Sequence, residues 1–159
     1  MRTKQNSNQH ELSPAYKLHR LVSALDTAAD RVLRSKLHIS YRRALFLIVL
    51  DTQGPLLQHN LAVYLGYSDA AISLMLAELS KNRLVQIRVH PMHKKRRIAE
   101  VTVEGGKLAK KAQNILDTHF AIIAQLAGVD LPQYADQTDK LFESLIGITQ
   151  QKESQVENY

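Results

Sequence analysis

The chain contains no cysteine and no tryptophan. Without thiols there are no disulfides, no thiolate nucleophile, no cysteine-ligated zinc and no cysteine redox switch. Proline and glycine are scarce, four and six in 159 residues, so long structureless linkers are not expected inside the fold. Aromatic residues make up only 6%, while Leu, Ile, Val and Ala carry most of the apolar share. That balance suits packed helices better than a β-sandwich. The longest apolar run, Ala44 to Leu50, is far short of the roughly 20 residues that cross a bilayer. The first residues, Met1 to His10, are polar and lack the apolar stretch of a signal peptide. These absences point to a cytoplasmic protein with no membrane partner, and the length suits one domain.

What the chain does have is positive charge. Lys and Arg number 21 against 15 Asp and Glu, a formal net charge of +6. A basic surface attracts polyanions, although many soluble proteins share this bias. The distribution is more telling than the sum. Eight of the 21 cations (Arg88, Lys94, Lys95, Arg96, Arg97, Lys107, Lys110 and Lys111) fall between 88 and 111, and none falls between 68 and 80.

Hydrophobic spacing divides the chain into elements. Ser13-Pro14 is an N-cap followed by proline at the first helical position. From there Leu18, Leu21, Val22, Leu25, Ala28, Ala29, Val32 and Leu33 recur every three or four residues, which predicts one amphipathic helix to about Lys36. Ser40 caps a second helix, Tyr41 to about Thr52, that stops at Gln53-Gly54-Pro55. Two short helices follow, about Leu57 to Leu65 and Ser68 to Lys81. The period then switches to two: Val85, Ile87 and Val89, then Ala99, Val101 and Val103, predict two antiparallel strands joined by a charged loop, His90 to Arg97. A long helix runs from Gly105 to about Ala127, and Asp130 caps a last one with Pro132 in its first turn.

The expected segments are a flexible arm over 1–12, an N-terminal dimerisation helix over 13–40, a winged helix-turn-helix over 41–104, C-terminal dimerisation helices over 105–150 and a tail over 151–159. The fold class is mainly α with a small β-hairpin wing. The apolar stripes of the outer helices exceed what the central domain covers, which predicts a homodimer.

The stretch Gln58 to Met75 carries the functional signal. A helix-turn-helix packs two short helices steeply through a tight turn. It needs a small residue in the first helix, here Ala62, and a turn residue tolerant of positive φ, here Gly66. It also needs apolar residues one turn apart on the second helix, here Ile72, Met75, Leu76 and Leu79, with Ser68 placed to cap it. An ordinary helical hairpin is the plain alternative, but it does not require all four at once.

From Leu56 through Lys107 the chain resembles the winged helix-turn-helix of the MarR (multiple antibiotic resistance regulator) family. The likeness rests on Gln58 to Leu65, Ser68 to Val85, and Val101-Thr102-Val103-Glu104-Gly105, similar to that family's Leu-Thr-x-x-Gly. The resemblance implies a dimer whose second helices enter successive major grooves of double-stranded DNA while the wings reach the minor groove. It also implies a pocket for a small aromatic or anionic effector. Three positions depart from the family pattern. His93 and Lys95 stand where an Asp-x-Arg pair is usual, Asn82-Arg83-Leu84 replaces a common glycine, and Leu74 occupies the place of a common arginine. Asn82 is expected to take the left-handed conformation at the helix end.

The DNA-contacting residues read from this pattern are Ser68, Asp69, Ala70, Ser73 and Leu74 on the second helix, with His93, Lys94, Lys95, Arg96 and Arg97 on the wing. Ser73 suits a phosphate or base edge, Ala70 a thymine methyl, and Asp69 repels phosphate unless it reads a cytosine amine. The wing cations suit phosphate and minor-groove contact, or simply a solvated loop. Among seven histidines only His90 and His93 are near neighbours, with no nearby carboxylate, so no metal site is expected. Asp26 and Asp30 share a helical face, which reads as solvated surface rather than an acid–base pair. No serine, histidine and acid stand in a nucleophilic context, and neither catalysis nor a cofactor is expected. Tyr41-Arg42-Arg43 suits an anionic aromatic ligand or a surface turn, and the sequence leaves both open. A second functional reading also stands at this point: an interaction module whose basic wing meets an acidic protein.

Overall fold

In the computed structural model of the chain, the backbone is described for residues 13–156 and the side-chain surroundings for residues 13–146. The arm over 1–12 and the end of the tail lie outside the described residues. Element order is α1 (Pro14–Leu37), α2 (Tyr41–Gln53), β1 (Leu56–Leu57), α3 (Gln58–Leu65), α4 (Asp69–Lys81), β2 (Val85–His90), β3 (His93–Val101), α5 (Val103–Ala127) and α6 (Leu131–Val156). Two compact units result, Met1–Ile115 and Leu116–Tyr159, where the length had suggested one. The last helix continues past Gln151, where the tail was expected to begin.

The helix ends follow from local chemistry. Ser13, Ser40 and Ser68 accept from the amides of Tyr16, Arg43 and Ala71, each three residues on, and Asp130 accepts from Gln133 at 2.8 Å. Gly66 takes φ 66°, the left-handed conformation that closes α3 and opens the turn to α4. At the end of α4 the expectation for Asn82 fails. Asn82 sits at φ −84°, and Arg83 takes the left-handed conformation at φ 59°.

In the first unit the core gathers Leu33 from α1, Phe46, Leu47 and Leu50 from α2, Leu61 from α3, and Ile72, Leu76 and Leu79 from α4. Val85 and Ala99 close it from the sheet. Asp30, read from sequence as solvated surface, ties α1 to α2: it accepts from Arg34 Nε at 2.5 Å and from the Tyr41 amide at 2.9 Å.

The sheet departs furthest from expectation. It has three strands in the order β1-β3-β2, all antiparallel, and the two-residue β1 pairs Leu56 with Ala99 and Leu57 with Ile98. The loop expected over His90 to Arg97 shrinks to a turn at Pro91-Met92, and His93 to Arg97 belong to β3. Register runs from Val85↔Val101 to Val89↔Arg97 and then jumps to His90↔His93, so Lys94, Lys95 and Arg96 bulge out of the ladder. Val103, expected to end the second strand, starts α5 instead.

Large apolar side chains remain exposed on both units. On α1 these include Leu18, Leu21 and Val22, and on α6 Leu141 and Phe142. No helix among the described residues is long and apolar enough to cross a membrane.

Candidate nucleic-acid interface

Helix α4 turns Ile72, Leu76 and Leu79 into the core, so Asp69 and Ser73, one turn apart, face outward together. β1 sets the start of α3 beside β3, because Leu57 pairs with Ile98. The residues on either side of that pair, Gln58 to Asn60 and Lys95 to Arg97, therefore run next to each other. The result is an open groove of about 630 Å³ lined by Leu57, Gln58, His59 and Asn60 of α3, Asp69 and Ser73 of α4, and Lys95, Arg96 and Arg97 of the wing.

The groove is positively charged by construction. None of Lys94, Lys95, Arg96 and Arg97 forms an ion pair among the described residues. The wing cation next to them, Arg88, is held by Glu100 at 3.1 Å, and Glu100 also accepts from Gln86, its cross-strand partner. Three free cations, Lys95 and Arg96 on the bulge and Arg97 at the edge of the ladder, thus line the groove with Asp69 and Ser73 of α4. The first amides of α3 add to this, since Leu57 supplies no side-chain cap and those donors remain open to an anion.

The sequence-derived residues divide. Asp69, Ser73, Lys95, Arg96 and Arg97 converge on the groove. Ser68 spends its hydroxyl on the α4 cap, and Ala70 is exposed on the first turn. Leu74, 76% exposed, borders a separate 250 Å³ hollow with Arg42, Phe46 and Tyr67. Lys94 is exposed outside the groove. The His93 ring lies 5.1 Å from that of His90, whose Nδ1 accepts from the Met92 amide at 3.1 Å. No group of three or more metal-ligating side chains occurs among the described residues. Gln58, His59 and Asn60 line the groove without a contact signal in the sequence. Their polarity at a helix start reads equally as end-capping, and only β1 reveals that they face the wing.

Tyr41, Arg42 and Arg43 are engaged internally. Arg42 lies 5.0 Å over the Tyr67 ring, which stacks on Phe46, and Arg43 pairs with Glu78 of α4. Burial raises the Tyr41 hydroxyl above its ordinary pKa, with Asp26 and Tyr67 adding to the effect. Asp30 is shifted down, first by the Arg34 hydrogen bond and then by the Tyr41 amide.

The fold and this groove define a winged helix-turn-helix. No family model matches the sequence, and no curated protein matches it either. Solved structures do match. The Staphylococcus aureus MepR–DNA complex is similar at TM-score 0.70 and 19% identity, over 86% of this chain and 99% of that one. NadR in complex with 4-hydroxyphenylacetate gives 0.71 and 21%, over 90% and 96%. A MarR-family transcriptional regulator from Rhodococcus sp. RHA1 gives 0.69 and 19%, over 80% and 88%. The chain has the MarR-type winged-helix fold.

Proposed function

We propose that this chain is a sequence-specific, double-stranded-DNA-binding transcriptional regulator of the MarR type, a homodimeric repressor released by a small aromatic or anionic effector, and not an enzyme. The observation that carries the reading is the groove in which the start of α3, the outward face of α4 and the bulged basic strand meet. With α4 in the major groove, Lys95, Arg96 and Arg97 lie toward the flanking backbone and minor groove, and the open α3 amides lie toward a phosphate. MepR is solved on DNA, and the ligand in the NadR structure is an aromatic carboxylate, which supports both partner classes. The exposed apolar faces of α1 and α6 suit a second copy.

An α4 with Leu74 in the place of a common arginine is what would favour the interaction-module reading. The cations that α4 lacks stand across the groove on β3, so that support falls away. A mobility shift on random duplex across a salt series tests the proposal, followed by selection of bound fragments from the source genome. Binding that weakens steeply with salt, together with enrichment of one motif, is the expected result. Absence of duplex binding at low salt sinks it.

A further inference from the structure

Helix α4 presents no cation to the groove, and its foremost side chain there is a carboxylate. Asp69 Oδ2 faces His59 Nδ1 at 3.4 Å, and Gln58 Nε2 reaches the Asp69 carbonyl at 3.4 Å. Oδ1 meets no donor among the described residues. Lys95, Arg96 and Arg97 line the same groove without pairing with the carboxylate. An acid in the first turn does favour the helix dipole, but Ser68 already caps α4, and the dipole gain does not require the side chain to face a DNA groove. A carboxylate aimed at phosphates costs affinity, so its place in this groove calls for a compensating contact.

We infer that Asp69 is a base-reading residue, held in place by His59, that selects a cytosine amine in the major groove; this rests on the DNA-binding reading above. An ionised carboxylate only accepts hydrogen bonds. Of the four base edges in the major groove, cytosine offers its N4 amine with no acceptor on the same base. Adenine sets N7 beside its amine, guanine shows two acceptors, and thymine a carbonyl and a methyl. An acceptor-only group is therefore drawn to cytosine and repelled by guanine. His59 is a positioning residue: the tautomer with its proton on Nδ1 donates to Oδ2 and leaves Oδ1 for the base.

The test is selection from a randomised duplex pool with the full-length protein, wild type and four variants (two at Asp69, one at His59 and the double alanine variant), together with affinity for a scrambled duplex. Wild type enriches a C·G pair at one position per half-site, with about 10-fold discrimination. Asp69→Ala loses that position alone and binds scrambled duplex at least as tightly. Asp69→Asn moves the preference at the same position from cytosine to adenine, because an amide both donates and accepts. His59→Ala weakens the same position and adds nothing to Asp69→Ala, whereas an independent contact would add. If Asn and Ala variants instead bind all duplexes more tightly with the motif unchanged, Asp69 is only an electrostatic brake and the inference fails. If wild type binds duplex yet enriches no motif, the base-reading role fails while non-specific binding stands. If it binds no duplex, both readings fail.

Discussion

The Thr102 hydroxyl accepts from the Gly105 amide at 3.1 Å and donates to the Arg83 carbonyl at 2.8 Å, while its own amide donates to the Leu84 carbonyl at 3.0 Å. It caps α5 and at the same time fastens the left-handed turn that leads into β2. This gives a physical account of the Thr-x-x-Gly pattern, because the approach leaves no room at the fourth position. A Cβ on Gly105 would stand 2.0 Å from the Leu84 carbonyl oxygen and 2.7 Å from Val101 Cγ2. Gly105→Ala is expected to destabilise the fold by about 2 kcal/mol, since backbone must move. Urea unfolding read at the midpoint measures it. Asp30 offers a second check through pH. Its pKa is lowered on folding, so its contribution is complete above the ordinary value of 3.8 and fades as pH falls through the lowered one. The gap in melting temperature between wild type and Asp30→Asn should stay constant from neutral pH down to about that value and close below it. A gap independent of pH would mean that the carboxylate's charge is not what ties α1 to Tyr41.

Among the elements, the wing departs most from its sequence signal, and it also makes the sharpest functional prediction. Phosphate contacts release counterions, each adding about −0.9 to the log–log salt slope. Replacing Lys94, Lys95, Arg96 and Arg97 with alanine should flatten that slope and weaken all duplexes alike. Ser73→Ala should alter sequence preference and leave the slope unchanged. A wing variant with the wild-type slope would place the contacts elsewhere. The long helices were legible because each carries apolar residues at helical spacing behind a capping side chain, and Ala62, Gly66 and Ile72 mark the helix-turn-helix by spacing alone. The wing was not. Before Ile98 every β3 side chain is exposed, so no face is buried and no period of two is written into His93 to Arg97. β1 was hidden for another reason: two leucines are too few to show any period, and they merge with the helix that follows. The groove itself joins 57–60, 69–73 and 95–97, and no local pattern joins segments that far apart.

For the whole molecule, the unspent apolar surface sets the expected assembly. Leu18, Leu21 and Val22 on α1, and Leu141 and Phe142 on α6, are each at least 42% exposed in the single chain. A stable dimer at low micromolar concentration is expected by light scattering. Leu141→Asp should shift it toward monomer and weaken DNA binding in parallel, because two half-sites are then no longer held by one particle. A folded wild-type monomer at that concentration would contradict the dimer. With no thiol in the sequence, release from DNA by thiol-specific oxidants is not expected.

The two hydrogen-bonded residues of β1 have one more consequence. They rivet the start of α3 to β3, so the bulged cations and the outward face of α4 cannot change their separation independently. On the DNA-binding reading proposed above, the protein would be a gauge of fixed span laid along the duplex. Each base pair advances the helix by about 3.4 Å and turns it by about a tenth of a revolution, so an inserted pair rotates one contact set away from the other. Substituting a base between the two sets should cost little, while inserting or deleting one there should cost as much as losing the wing contacts altogether. The operator would therefore tolerate changes in spelling far better than changes in length.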